Sequence, residues 1–493
     1  MRTSGILMHI SSLPSPYGIG ALGQAAYDFA DFLSAAGQKI WQILPVAPTS
    51  YGDSPYQSFS TFAGNPYFID LDLLAEDGLL EKADYADLNW GEDPQRVDYA
   101  RIYNLRFPVL KKAFRAFLAG KGEMDKAYLA FLEKNRSWLE DYALYMALKF
   151  RQNGAPWTLW EEPLRRREPE ALQAARRELR EEIGFWQFLQ YAFFAQWERL
   201  KAYVNQLGIR LLGDAPIYVA LDSADVWANP ELFLLDEDLA PAVVAGCPPD
   251  YFAKTGQLWG NPIYDWEAHR KTGYRWWVDR VAHGAAIFDL LRIDHFRGFE
   301  SFWSIPAGDE TAENGRWEKG PGMELFNRIR EELGEVSIIA EDLGMITEPV
   351  RALLKETGFP GMKVLQFAFT PGYESDYMPH RQVRGCVCYT GTHDNDTLWG
   401  WISSLEGEDL QVLMDYSRSR SREECLWNVI AMAWGSVADT AIATMQDFLG
   451  LGSEARMNTP SVPDGNWCWR MVPGQLTDSL SERIAALTKI YWR

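Results

Sequence analysis

The sequence predicts an α/β chain closed as a (β/α)8 (TIM) barrel, with helical and irregular insertions between its strands. Three observations carry this. Short apolar runs without alternation recur along the chain, helix-like stretches separate them, and several runs stop abruptly at carboxylates. Runs of four to eight apolar residues suit strands buried on both faces, as in a parallel sheet. Eight strand–helix units favour a closed barrel over an open sheet.

In chain order the eight runs are Ile6–Ile10, Ile40–Leu44, Ile209–Leu212, Ala286–Ile293, Val336–Ala340, Met362–Phe367, Cys386–Tyr389 and Phe448–Leu451. Gln24–Ala36 and Glu348–Glu356 read as two of the intervening helices, and Ala441–Met445 reads as the start of a helix leading into the last run. Uneven spacing locates the insertions within a single catalytic barrel spanning 1–493. The segment 70–205 reads as largely helical, with its core at roughly 105 to 205, where Leu139, Tyr142 and Met146 fall at i, i+3 and i+7. The Arg- and Glu-rich run Arg165–Glu182 reads as a solvated helix face with i,i+4 pairs. A second insertion, 215–285, is rich in Pro, Gly and Trp and is expected at the barrel mouth.

Composition narrows the function. Hydrophobic residues make up 47% and charged residues 24% of 493, as in an ordinary globular chain. A formal net charge of −20 repels nucleic acid and anionic membrane, so neither is an expected partner. The apolar N-terminal run is too short for a signal-peptide core, and no stretch has the length of a membrane span. Five cysteines give no disulfide framework, and Cys386 and Cys388 read as core packing on one strand face. The expected location is the cytoplasm. Among 21 tryptophans, close pairs such as Trp157 with Trp160 and Trp467 with Trp469 could stack on sugar rings, but core filling explains most of them.

Gly18-Ile19-Gly20-Ala21-Leu22-Gly23 matches the dinucleotide-binding glycine pattern. The stretch Ser11–Tyr17, with two prolines, separates it from the first strand, and the next strand ends in Leu44-Pro45-Val46-Ala47 without an acid. A long first βα loop over the barrel mouth is the better reading, and no cofactor is expected.

In a barrel the chemistry sits where strands end. Here the third run leads to Asp214, the fourth to Arg292-Ile293-Asp294-His295, the fifth to Glu341-Asp342 and the seventh to His393-Asp394-Asn395-Asp396. Arg292 and Asp294, two apart on a strand, point the same way, and the guanidinium favours the ionised carboxylate that a nucleophile needs. Glu341 follows Ile339 and Ala340, and less polar surroundings suit a general acid. Two such carboxyls about 5–5.5 Å apart perform retaining glycoside chemistry. Asp394 could bind the hydroxyls beside the reacting carbon. Asp342 reads equally well as a cap for the helix that follows, and Asp236-Glu237-Asp238 as an exposed turn. His393, Asp394 and Asp396 have no further histidine at ligand spacing, so no metal is expected.

These strand ends resemble the catalytic pattern of the α-amylase clan. Within it, the chain is similar to the amylomaltase (disproportionating enzyme) family of 4-α-glucanotransferases, glycoside hydrolase family 77. The matching strings are Ser11–Ser15, Tyr51–Gln57, Gly213–Tyr218, Arg292–Gly298, Ala340–Gly344 and Gly391–Asp396, spread over essentially the whole chain. The resemblance implies Asp294 as nucleophile, Glu341 as acid/base and Asp394 as transition-state stabiliser. It implies glucan binding by Ser54, Tyr56, Asp214, Trp259, Arg292, His393 and Asn466. It further implies transfer of a 4-α-glucanyl unit between maltodextrins, cyclisation of long chains, and no metal or organic cofactor. Some members carry an extra N-terminal domain, and this chain, starting at its first strand, resembles those without it. The substrate partner is then an α-1,4-glucan, and no protein partner is assigned. An α-amylase-like retaining hydrolase shares the carboxylates; the Tyr51–Gln57 and Gly246–Pro262 strings favour transfer.

Overall fold

A computed structural model describes residues 2–50, 52–120, 122–249, 254–344, 346–372 and 375–493. Twelve strands are present among them: β1 (Thr3–Leu7), β2 (Ile40–Gln42), β3 (Arg210–Ala215), β4 (Val243–Cys247), β5 (Gln257–Pro262), β6 (Leu290–Ile293), β7 (Ser301–Pro306), β8 (Arg316–Lys319), β9 (Ile338–Ala340), β10 (Gly361–Val364), β11 (Cys386–Tyr389) and β12 (Thr440–Thr444). Eight of them form one parallel sheet in the order β10-β11-β12-β1-β2-β3-β6-β9. Neighbours in space are neighbours in sequence apart from the inserted strands, which is the winding of a (β/α)8 barrel.

The seam between β9 and β10 has no continuous ladder. Two bonds close it: Ala340 N–H to the Pro360 carbonyl at 2.9 Å, and Met362 N–H to Asp342 Oδ1 at 2.6 Å. Asp342 is therefore not the cap of the following helix, Glu348–Thr357, which starts after Thr347. The carboxylate instead replaces the missing backbone acceptor across the seam. Gly361 permits the approach, because a Cβ there would lie 2.6 Å from Asp342 Oδ2.

Seven apolar runs overlap barrel strands, with ends displaced by a few residues. The last does not. Phe448 lies in the short helix Met445–Leu449, and the eighth strand is Thr440-Ala441-Ile442-Ala443-Thr444, the segment whose end reads as helical. Two alanines count as helix formers in isolation, yet here β1 and β11 pair with both edges of the strand, and Ala441–Thr444 are buried on both faces. Small side chains fit there, flanked by β-branched residues. Thr444 then accepts the Asp447 N–H at 3.2 Å, capping the helix.

Between β2 and β3 lie the long helices Tyr99–Ala119, Arg136–Arg151 and Arg180–Gln206, with shorter ones between. Leu139, Tyr142 and Met146 are all buried in the second of these. The charged run makes an i,i+4 pair, Arg166 with Glu162, and also pairs outward to other elements, Arg167 with Asp141 and Glu178 with Arg151. Residues 243–319 hold a second, antiparallel sheet, β5-β4-β7-β8, which the irregular composition of that region did not reveal. Between β1 and the helix Gln24–Ala35 the first loop is tightly packed. A Cβ on Gly20 would lie 1.7 Å from the Ile10 carbonyl oxygen, so the glycines serve loop packing. Cys386 and Cys388 are buried in β11. Asp236-Glu237-Asp238 is exposed, with Asp236 Oδ1 accepting the Asp238 and Ala240 N–H groups. Among the described residues no helix is long and apolar enough to cross a membrane.

Candidate active site

Strand β6 carries the centre of the site. Its Arg292 is 3% exposed, a burial that a guanidinium tolerates only with its charge matched. The match is a fork: Nη1 donates to Asp214 Oδ2 at 2.6 Å and Nη2 to Asp294 Oδ1 at 2.8 Å. Burial alone would lower the Arg292 pKa, but the Asp214 and Asp294 charges outweigh it and hold it above its ordinary value. The β3–β6 register sets the spacing, with Asp214 opposite Arg292 and the Asp294 N–H on the Ala215 carbonyl at 3.0 Å. The three acids differ in access. The Asp214 side chain is 0% exposed, that of Asp294 30% and that of Asp394 47%, so Asp294 and Asp394 face the open mouth.

Glu341 stands beside Asp294 through the backbone. Its own N–H donates to the Ile293 carbonyl at 3.0 Å, and its Oε2 accepts the His295 N–H at 2.7 Å. Oε1 accepts the Leu343 N–H at 2.6 Å. His295 adopts a left-handed φ of 49°, unusual for a residue with a side chain, and that turn directs its N–H to Glu341. Burial, then repulsion from Asp294, pushes the Glu341 pKa up to about 8; Arg292 and the two N–H bonds oppose this without cancelling it. The carboxyl is thus a proton carrier at neutral pH. The His295 imidazole, brought down to about 4 by burial, meets the Trp259 ring edge-on at 4.8 Å.

Asp394 follows β11 in a loop tied by Asn395 Oδ1, which accepts the Thr392 N–H at 2.9 Å. Its Oδ1 accepts from Asn458 Nδ2 at 2.7 Å and lies 3.4 Å from His393 Nε2. Arg456 Nη2 holds the Asp394 carbonyl at 2.6 Å. Asp396 is occupied elsewhere, accepting from Ser453 Oγ and the Thr397 N–H. His380 bonds Tyr416. Among the described residues no three His, Cys, Asp or Glu side chains are grouped to hold a metal ion.

Tyr56 links the parts. Its hydroxyl donates to Asp214 Oδ2 at 2.7 Å and lies 3.4 Å from His393 Nδ1, and its ring stacks on His393 at 4.9 Å and 19°. Trp467 packs within 5.8 Å of the His393 ring. Ser54 Oγ accepts the Tyr56 N–H at 3.2 Å, shaping the loop. Asn466 differs from the others, because its amide is spent on its own loop: Oδ1 on Thr459 N–H at 2.8 Å and Nδ2 on the Val462 carbonyl at 2.8 Å. Tyr51 of the Tyr51–Gln57 string, and residues 250–253 of Gly246–Pro262, lie outside the described residues. Sequence reasoning gave no role to Asn458 or Arg456. They lie more than 60 residues from Asp394 along the chain, beyond the reach of local pattern.

A family model described as 4-alpha-glucanotransferase matches residues 8–476. The 4-alpha-glucanotransferase of Clostridium butyricum is 51% identical over 488 residues, covering 99% of this chain and 100% of that protein. That of Thermus thermophilus is 50% identical over 496 residues, covering 99% and 98%. The solved amylomaltase from Streptococcus agalactiae in complex with acarbose superposes with a TM-score of 0.97 at 44% identity, over 100% of both chains. The amylomaltase from Corynebacterium glutamicum, at 18% identity, shares the fold with a TM-score of 0.81, over 99% of this chain and 75% of that one. A near-closed barrel with its carboxylates at the strand ends, matched along almost its full length, belongs to the 4-α-glucanotransferase (amylomaltase) family.

Proposed function

We propose that this family's glucanyl transfer runs here on Asp294, Glu341 and Asp394, with the chain acting as one catalytic barrel (1–493) that carries a largely helical insertion at 70–205 and a second insertion, 215–285, at its mouth. The single observation that carries the assignment is the pairing around His295. The open, Arg292-bound carboxylate of Asp294 stands one residue from the N–H that holds the buried, proton-bearing Glu341.

An Asp294 oxygen attacks C1 of the donor glucose while Glu341 gives its proton to the departing 4-oxygen of the glucan leaving group. A glycosyl ester forms on Asp294 as the glycosidic bond breaks. Glu341, now ionised, takes the proton of an acceptor 4-hydroxyl, whose oxygen attacks C1 and expels Asp294. Two inversions retain the α configuration, and both carboxyls return to their starting states. Asp394, oriented by Asn458 and His393, binds ring hydroxyls most strongly as positive charge grows at C1.

The substrate in this reading is a maltodextrin, met by Ser54, Tyr56, Trp259, Arg292 and His393 at the mouth, with Asp214 held behind them. Asn466 contributes by fixing the 459–467 loop that ends in Trp467. Long glucans are cyclised when the acceptor is the other end of the donor chain. A net charge of −20 gives nucleic acid no electrostatic purchase. An odd count of five cysteines in 493 residues accords with work in the cytoplasm, to be checked by cell fractionation. Membership of the transferase family sets aside the α-amylase-like hydrolase. Brief reaction with a 5-fluoro-α-glucosyl fluoride, which slows the second step, should leave a sugar adduct on the peptide containing Asp294. An adduct on any other carboxylate, or none, overturns the assignment.

A further inference from the structure

The segment that follows Asp214 has almost no regular structure before the short helix Ala224–Ala228, yet two walls of the site hang on it and on the start of that helix. Its Val219 carbonyl accepts Asn261 Nδ2 of β5 at 2.8 Å, and Asn261 Oδ1 accepts Gln57 Nε2 at 3.2 Å. Ala224 N–H donates to the Phe59 carbonyl and Thr61 N–H to Asp225 Oδ2, both at 2.8 Å. The loop carrying Ser54 and Tyr56 and the strand carrying Trp259 are therefore fixed to one irregular stretch. Such a stretch keeps its place only through side-chain bonds.

Near β3 the stretch is held by Tyr264 OH and Arg280 Nη1, which donate to the Ile217 carbonyl at 2.7 and 3.1 Å; at Leu221–Asp222 the bonds come from the helical insertion. Asp222 Oδ2 accepts from Lys149 Nζ at 2.5 Å, and its Oδ1 accepts from Tyr145 OH at 2.6 Å and the Trp157 N–H at 3.2 Å. Tyr145 and Lys149 are one helical turn apart on the helix Arg136–Arg151, so they present to the same side. Trp157 Nε1 adds a bond to the Leu221 carbonyl at 2.6 Å. The Lys149 side chain is 4% exposed; it also reaches the Gly154 carbonyl at 3.1 Å and lies 5.0 Å from the centre of the Phe59 ring. One buried ammonium thus touches both the 222 and the 59 segments. A pair this enclosed adds little net stability over an apolar replacement, but it fixes geometry closely.

We propose that Lys149 and Asp222 are positioning residues that set the glycosyl-enzyme's choice between a sugar acceptor and water. This rests on the two-step reading above. The brace keeps the Tyr56 loop, the Asn261 strand and the Asp222 segment in register, so that an acceptor hydroxyl is aligned and water is kept from C1. A shift of about 1 Å in such walls costs transfer far more than it costs attack by a small, freely arriving water. The helical insertion, which brings no residue to the reacting atoms, then has a chemical consequence.

The test is a ratio: reducing ends gained per maltotriose consumed. It does not depend on how much of a preparation is folded, so a merely structural role leaves it unmoved. Asp222→Asn and Lys149→Met should raise it about threefold or more, Tyr145→Phe, which deletes one donor to Asp222, about 1.5–2-fold, and Lys149→Arg should return it toward the parent value. Tyr145→Phe is the mildest change and carries the test if the charge variants do not fold. A ratio equal to the parent's in these variants, with only the melting temperature lowered, overturns the proposal. A parent enzyme that itself releases only shorter sugars would instead sink the transferase reading on which it rests.

Discussion

Glu341 accepts the backbone N–H of His295, the residue after Asp294, at 2.7 Å. Glu341 and Asp294 are thereby fixed to each other by main chain, not only by flexible side chains, and the left-handed turn at His295 is the local strain that permits it.

Asp294→Asn should remove the nucleophile while leaving the binding walls intact. Turnover should fall by about four orders of magnitude or more, with maltodextrin affinity by calorimetry within about threefold of the parent. Activity near the parent's would remove Asp294 from its role.

The Glu341 carboxyl, with its pKa near 8, gives two pH signatures. As the acid it must hold its proton, so the first step should decline as pH rises through about 8. Glu341→Gln should lose that limb, and it should slow α-glucosyl fluoride, whose leaving group needs no proton, far less than maltotriose. Stability follows the same raised pKa. Between the ordinary carboxyl value of 4.5 and about 8, the folded state keeps a proton that the unfolded chain has released, so folding is progressively penalised as pH rises. The melting temperature of Glu341→Gln relative to the parent should therefore increase from pH 5 to pH 8. A constant difference across that range would contradict the burial argument.

Asn458 orients Asp394 from a distant part of the chain. Asn458→Ala should lower kcat by about 10-fold or more with KM changed less than about threefold, since the contact it supports tightens in the transition state. A rise in KM alone would make Asn458 a ground-state binding residue.

At the barrel seam, Asp342→Ala should leave the Met362 N–H without its acceptor, a loss of about 1–3 kcal/mol that lowers the melting temperature by a few degrees. Asp342→Asn, which keeps an acceptor oxygen, should lie between that variant and the parent. If Asp342→Ala melts like the parent, the seam is held by the Ala340–Pro360 bond alone.

What could be read from sequence followed from strand physics. β6 and β9 are short apolar runs that lead directly into Asp294 and Glu341, β11 reaches His393-Asp394 after three further residues, and Arg292-x-Asp294 has the two-residue period that points both side chains one way. β12 escaped because Ala441 and Ala443 carry helix propensity, and their strand state is decided by two covering neighbours. Asp342 read as a cap because sequence shows the helix ahead but not the open seam beside it. Asn458 and the second sheet depend on contacts between segments far apart in the chain, for which local pattern holds no signal.

In the proposed reaction the glycosyl-enzyme on Asp294 is captured by a sugar. Water stands at about 55 M, so an acceptor hydroxyl prevails only if it is bound, aligned and shielded. The direct measurement is incubation with maltotriose, resolving products by length while counting reducing ends. Glucose together with a ladder of longer maltodextrins should appear, with total reducing ends nearly constant. Steadily rising reducing ends with only shorter sugars would contradict capture by a sugar.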